Sequence, residues 1–222
     1  MLQAVIFDLD GTLLDTEPDF TLVLNTQLQR HGRSPLEPAI VRRFVSAGAM
    51  AMVRAGFGLD DHDERTPELL QEFLDLYSVQ IHQTTAALFD DIDLLIATLV
   101  ESGIAWGIMT NKHRRFTEPL LQQFENFATS GALVCPDDVG AGKPDPAGIL
   151  HACRQLGVDP VHTLYIGDHP RDIEAAHNAG MLGVAVRWGY LPETPSISAW
   201  SADAVMDTPQ QLLDFCLRRL AS

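Results

Sequence analysis

Asp8 and Asp10 flank a single leucine where the apolar run Ala4 to Phe7 ends, in the stretch AVIFDLDGT. Side chains two positions apart in an extended chain share a face, so two carboxylates stand together at the end of a buried strand. Such a pair can do three kinds of work. It can open a calcium loop, but counting from Asp8 the positions that need glycine and a bidentate glutamate hold Leu13 and Asp19, which excludes an EF-hand. It can brace a turn through one Asx side chain and Gly11, which leaves Asp10 without a task. Or one carboxylate can attack an electrophile while the other manages a proton.

Other polar groups stand at equivalent places. Ile104 to Met109 runs into Thr110-Asn111, Thr163 to Ile166 runs into Gly167-Asp168 with Asp172 beyond, and Lys143 lies in Gly142-Lys143-Pro144-Asp145-Pro146. Carboxylates, a hydroxyl, an amide and an ammonium together form the set that phosphoryl transfer requires. One carboxylate attacks phosphorus, the other serves as acid and then as base, and the cations and dipoles hold the transferring oxygens. Mg2+ takes oxygen ligands and keeps several waters, so Asp8, Asp168 and one backbone carbonyl would suffice to hold it.

The positioning elements follow from the periodicity. Near-continuous apolar strands alternate with helical patterns such as Ile92 to Val100 and Ile149 to Leu156, which predicts an α/β fold with a Rossmann-like parallel sheet covered on both faces. Weaker strands are expected at Ala132 to Val134, Leu182 to Val186 and, at an edge, Ala204 to Met206. Ligands bind outside the carboxyl ends of such strands, where the polar groups converge. Residues 15–85 break the alternation and predict a helical cap domain of three or four helices, inserted into a core domain of residues 1–14 and 86–222. Helix starts are expected after Thr16, at Ser34-Pro35-Leu36-Glu37 and at Thr66-Pro67-Glu68. Pro192 to Trp200 reads as a loop, and the cap is expected to hinge near Asp15 and Thr85.

Composition narrows the function. The 222 residues are 46% hydrophobic, enough for a sizeable core, and 15 basic against 30 acidic residues give a net charge of -15. That balance excludes non-specific binding to nucleic acid or an anionic membrane, and obliges an anionic substrate to find a local positive site. Cys135, Cys153 and Cys216 form no CxxC pair and predict reduced core thiols. No stretch approaches the roughly 18 apolar residues of a membrane span, and Asp8 interrupts the opening run too early for a signal peptide. The expectation is a soluble cytoplasmic protein, as a monomer or a homodimer.

The ordered set Asp8-Leu9-Asp10-Gly11-Thr12, Thr110-Asn111, Lys143 and Gly167-Asp168 with Asp172 resembles the haloacid dehalogenase (HAD) superfamily of phosphatases with a small helical cap, over essentially the whole chain. The resemblance implies that Asp8 is nucleophile and metal ligand. It implies that Asp10 is general acid and base with its carbonyl on Mg2+, that Thr110, Asn111 and Lys143 bind the phosphoryl group, that Asp168 ligates the metal, and that Asp172 supports Lys143 or metal-bound water. The chain departs from the pattern at His169-Pro170-Arg171, where small polar residues are more usual, and His169 reads as a loop residue.

Within the superfamily, Asp10 argues against a dehalogenase, and an insertion without lysine argues against a phosphonate hydrolase that uses a cap Schiff base. A sugar phosphomutase and a non-catalytic phosphate-binding protein stay open. The segments GIMTNK and FTEPLL resemble phosphoglycolate phosphatases, and VCPDDVGAGKPDP, GDHPRDIEAAHNAG and VAVRWGY resemble the branch that includes N-acetylmuramic acid 6-phosphate phosphatases. Both imply a small-molecule ester that joins a phosphate to a carboxylate. Arg42, Arg43 or Arg54 of the cap, Arg187, or backbone donors around Ser46-Ala47-Gly48 are the expected partners of that carboxylate.

Overall fold

The computed structural model describes residues 1–220. In chain order it contains β1 (Ala4–Phe7), β2 (Leu14–Asp15), α1 (Glu17–Arg30), α2 (Pro38–Arg42), α3 (Ala49–Phe57), α4 (Thr66–Gln80), β3 (Ala87–Leu88), α5 (Ile92–Glu101), β4 (Ala105–Met109) and α6 (Arg114–Leu121). Then come β5 (Leu133–Val134), α7 (Pro136–Val139), α8 (Ala147–Leu156), β6 (Thr163–Gly167), α9 (Pro170–Asn178), β7 (Leu182–Val186), β8 (Ala204–Met206) and α10 (Pro209–Leu220).

Six of the strands form one parallel sheet in the order β5-β4-β1-β6-β7-β8. Every residue of β1 is buried, because its side chains alternate between two covered faces. Ile6, Met109 and Tyr165 pack with Ile149 and Ala152 of α8 and Ala175 and Ala176 of α9. Phe7, Ile108 and Ile166 pack on the opposite side with Leu95 and Leu99 of α5 and Leu212 of α10. Each such aliphatic side chain contributes about 1.5–3 kcal/mol on leaving water. The central place of β1 matters for function: Phe7 is level with Ile108 and with Ile166, so Asp8, Thr110 and Asp168 emerge at one edge.

The predicted insertion holds four helices. Phe20, Leu24, Met52, Val53, Phe73 and Tyr77 join them in a common apolar interior, with the rings of Phe20 and Tyr77 stacked at 4.7 Å. A two-residue antiparallel ladder, Leu14 opposite Leu88, draws the stems of the insertion together, although no strand is expected there from the sequence. Two buried side chains fix the stems. Asp19 accepts bonds from the Thr85 amide and hydroxyl, both at 2.8 Å, from Gln80 Nε2 at 3.0 Å, and from the Thr84 hydroxyl. The Tyr190 hydroxyl accepts from the amides of Thr16 and Glu17, at 2.6 and 3.0 Å, and donates to Asp15 at 2.6 Å. These contacts fall beside the expected hinges.

The expected helix starts need correction. No helix begins at Ser34: α2 starts at Pro38 behind Glu37, because Asn25 binds the Leu36 backbone through both its oxygen and its nitrogen, at 2.8 and 2.9 Å, in place of helical partners. Thr66 lies inside α4 behind Arg65. Thr16 does precede α1, but its hydroxyl turns to Asp10 rather than to the helix amides. Within the predicted loop at 192–200, Ile197–Ala199 forms a 3-10 turn. All three cysteines are free and buried, as expected.

Candidate active site

Lys143 is the electrostatic centre of the site, with a fully buried side chain. Its ammonium forms ion pairs with Asp8 Oδ1 and Asp172 Oδ1, each at 2.8 Å, and donates a hydrogen bond to the Tyr165 hydroxyl at 2.8 Å. Tyr165 in turn donates to the Met109 carbonyl at 2.6 Å. The loop that carries Lys143 is held by the Asn111 side chain, which accepts from the Lys143 amide at 2.7 Å and donates to its carbonyl at 3.1 Å. Asn111 therefore secures the lysine's backbone besides lining the chamber.

Asp8, Asp168 and Asp172 are buried together, with one oxygen of each within 4.8 Å of the others. Their remaining contacts separate their capacities. Asp8 accepts from the Leu9 amide at 2.7 Å through the same Oδ1 that meets Lys143, leaving Oδ2 available for attack. Asp172 is occupied by Lys143 and by the His169 amide at 2.9 Å, where it caps the first turn of α9. Asp168 Oδ2 accepts from the Tyr190 amide at 2.6 Å and the Ser46 hydroxyl at 3.1 Å, while Oδ1 is buried without a partner. An orphaned carboxylate oxygen among acids is suited to a hard cation. Two glycines make the packing possible: a Cβ on Gly11, at φ +83°, would lie 2.1 Å from Asp168 Oδ2, and one on Gly167 would lie 2.4 Å from the Asp172 carboxyl.

Burial, with the charges of Asp172 and Asp8 beside it, pushes the Asp168 carboxyl up to about 8 from an ordinary 3.8. The folded protein thus keeps a proton that the unfolded chain releases. Stability of metal-free protein is expected to fall as the pH rises from about 4 to about 8, and a divalent cation, which replaces the proton, should restore it. Melting curves with and without Mg2+ across this range check the effect; a Mg2+ shift no larger at pH 8.5 than at pH 5 would contradict it.

Asp10 stands apart from the three buried acids. Both its oxygens accept from Lys112 Nζ, at 2.7 and 2.9 Å, and Oδ1 also accepts from the Thr16 hydroxyl at 2.7 Å. The Lys112 ammonium is almost wholly buried, 4.8 Å from the Phe20 ring centroid and 5.1 Å from that of Tyr77. Burial pulls its pKa down, but Asp10 outweighs this and holds the ammonium protonated.

Above these groups lies a chamber of about 280 Å³. Asp8, Asp10, Thr110 and Asn111 line it from the strand ends, Ser46 to Ala49 from the α2–α3 loop, and Phe20, Met52, Phe73, Tyr77 and Phe116 as an apolar wall. Thr110 is buried, and its hydroxyl accepts from the Lys112 amide at 3.1 Å.

Comparison with known proteins agrees with this geometry. Residues 5–186 match the model of the haloacid dehalogenase-like hydrolases. The chain belongs to that family. It is 44% identical over 219 residues to an N-acetylmuramic acid 6-phosphate phosphatase of Pseudomonas aeruginosa, covering 99% of this chain and 96% of the relative. It is 37% identical over 210 residues to a phosphoglycolate phosphatase of Xanthomonas campestris, covering 95% and 94%. The crystal structure of a predicted phosphoglycolate phosphatase from Haemophilus somnus superposes with a TM-score of 0.83 at 22% identity, over 96% of this chain and 97% of that one, a likeness of fold.

The structure brings seven of the residues singled out in the sequence into one region: Asp8, Asp10, Thr110, Asn111, Lys143, Asp168 and Asp172. His169 is a cap of α9, its Nδ1 accepting from the Arg171 amide at 3.3 Å, and burial with the Arg171 charge pushes it down to about 4. The expected cap arginines are elsewhere. Arg42 pairs with Asp15 at 3.3 Å and lies over the Tyr190 ring, Arg43 pairs with Glu193 at 3.0 Å, and Arg54 pairs with Asp61 at 2.8 Å. Arg187 pairs with Asp207 at 3.0 Å. None of the four lines the chamber, whereas residues Ser46, Ala47 and Gly48 do. Lys112, Tyr165, Tyr190 and Arg171 are the additions that structure supplies; Lys112 carried a signal in its place directly after Thr110-Asn111, and Arg171 in the departure at His169-Pro170-Arg171.

Proposed function

We propose that this phosphoric monoester hydrolase cleaves a small carboxylate-bearing phosphate ester, in the manner of a phosphoglycolate phosphatase, through an aspartyl phosphate on Asp8. The Lys143 ammonium, shared by Asp8 and Asp172 beneath the chamber, carries the reading. It lies against the attacking carboxylate and offers positive charge to an incoming phosphoryl group. Asp8 Oδ2 bonds to phosphorus as the ester P–O bond breaks, and Asp10 gives the leaving alcohol its proton. Water then attacks phosphorus, Asp10 takes the water's proton, and the bond to Asp8 breaks to release phosphate. Proton transfer at Asp10 requires its hydrogen bonds from Lys112 to loosen.

Asp8, Asp168 and the Asp10 carbonyl would hold Mg2+, whose charge when bound would neutralise the phosphoryl oxygens. Residues 15–85 act as the cap that excludes water, and the protein works in the cytoplasm. None of the helices among the described residues is long and apolar enough to cross a membrane.

Both curated relatives are named for substrates that join a phosphate to a carboxylate. The apolar wall of Phe20, Met52, Phe73, Tyr77 and Phe116 favours, as a second reading, the larger N-acetylmuramic acid 6-phosphate, with its methyl groups. Side-by-side kcat/KM values for 2-phosphoglycolate and N-acetylmuramic acid 6-phosphate decide between them, each expected to exceed those of neutral-tailed esters by about tenfold or more. Equal turnover of neutral esters would remove the substrate class, and an isomerised ester in place of free phosphate would reveal a phosphomutase.

A further inference from the structure

Arg171 reaches the chamber from the first turn of α9. Its guanidinium donates to the Ser46 carbonyl, so it lies against the α2–α3 loop, while its Nε is buried and has no hydrogen-bond partner. Among the described residues no carboxylate lies within ion-pair distance of Arg171, although Arg42, Arg43 and Arg54 of the insertion each have one. In a chain of net charge -15 a chamber-lining arginine without an acidic partner has the chemistry of an anion receptor. A planar fork of N–H donors matches a carboxylate. The neighbouring start of α3 adds to it: Gly48 gives that nine-residue helix no side-chain cap, so its first amides keep their hydrogen-bonding capacity at the positive end of the dipole, and Gly48 and Ala49 line the same chamber.

We propose that Arg171, assisted by the first amides of α3, binds the substrate's carboxylate and sets the enzyme's preference for acidic esters, an inference that rests on the substrate class proposed above. Thr110 and Lys143 are left to the phosphoryl end.

Two matched pairs of substrates test it: 2-phosphoglycolate against 2-hydroxyethyl phosphate, and N-acetylmuramic acid 6-phosphate against N-acetylglucosamine 6-phosphate. The wild-type enzyme is expected to favour the acidic member of at least one pair. R171Q should lower kcat/KM for that acidic member by about 10- to 100-fold, mainly through KM, and for its neutral partner by less than about fivefold. R171K, which keeps the charge without the fork, should fall between. Loss of the Ser46 contact could loosen the loop, so the neutral ester serves as an internal control for folding. An R171Q enzyme that keeps the wild-type preference, or loses both members equally, would overturn the role of Arg171 while leaving the substrate class standing. A wild-type enzyme without any preference would overturn both.

Discussion

Asp8→Asn is expected to fold like the wild type and to release phosphate from p-nitrophenyl phosphate with kcat/KM lower by at least about ten thousand-fold, the scale on which removing a nucleophile acts. The shape of the side chain is kept, so the loss is chemical: a neutral amide oxygen cannot form the acyl phosphate. Stability should move little or rise, because one of three clustered buried carboxylates becomes neutral and Asp168 loses a repulsive neighbour. A rate within tenfold of wild type, or activity that needs no divalent cation, would remove Asp8 from the role proposed for it.

The second large effect is expected at Lys143. Lys143→Met takes the only ammonium from the midst of Asp8 and Asp172 and leaves the Tyr165 hydroxyl without its donor. Breaking a buried pair from one side costs about 3–5 kcal/mol, so the variant should melt well below wild type as well as lose activity. Adding Asp172→Asn should recover part of that stability, because it discharges one stranded acid while the amide oxygen still accepts from His169. No activity returns, since the phosphoryl group still lacks its cation. Chemical denaturation of the two single variants and the double variant measures the coupling, and simple additivity would mean that the pair seen at 2.8 Å contributes nothing.

The sheet and the site residues are legible in the sequence for the same reason. Parallel strands buried on both faces must be continuously apolar, and the first residues beyond each strand must face the ligand, so Asp8, Thr110 and Asp168 announce both the end of a strand and the start of chemistry. Helix starts in the insertion are less legible. Ser34-Pro35-Leu36-Glu37 has the spacing of a capping box, but Asn25, on the preceding helix, captures the Leu36 backbone first. The Tyr190 contact with the insertion stem is invisible for a related reason: Tyr190 meets Thr16 across 174 residues of chain, and nothing in a tyrosine after a strand says which amide it will serve. The arginines show the limit most clearly. Arg42, Arg43 and Arg54 sit where a cap should grip its substrate, and each is neutralised by an acid whose proximity only the folded chain creates.

Lys112 and Lys143 are the chain's only lysines, and both side chains are buried, one lining the chamber and the other beneath it. The exterior therefore carries its positive side-chain charge on guanidinium groups and protonated imidazoles. Acylating reagents, and enzymes that conjugate to a lysine amine, meet no exposed lysine side chain. Their reaction with either lysine would amount to a direct record of how often the proposed cap lifts.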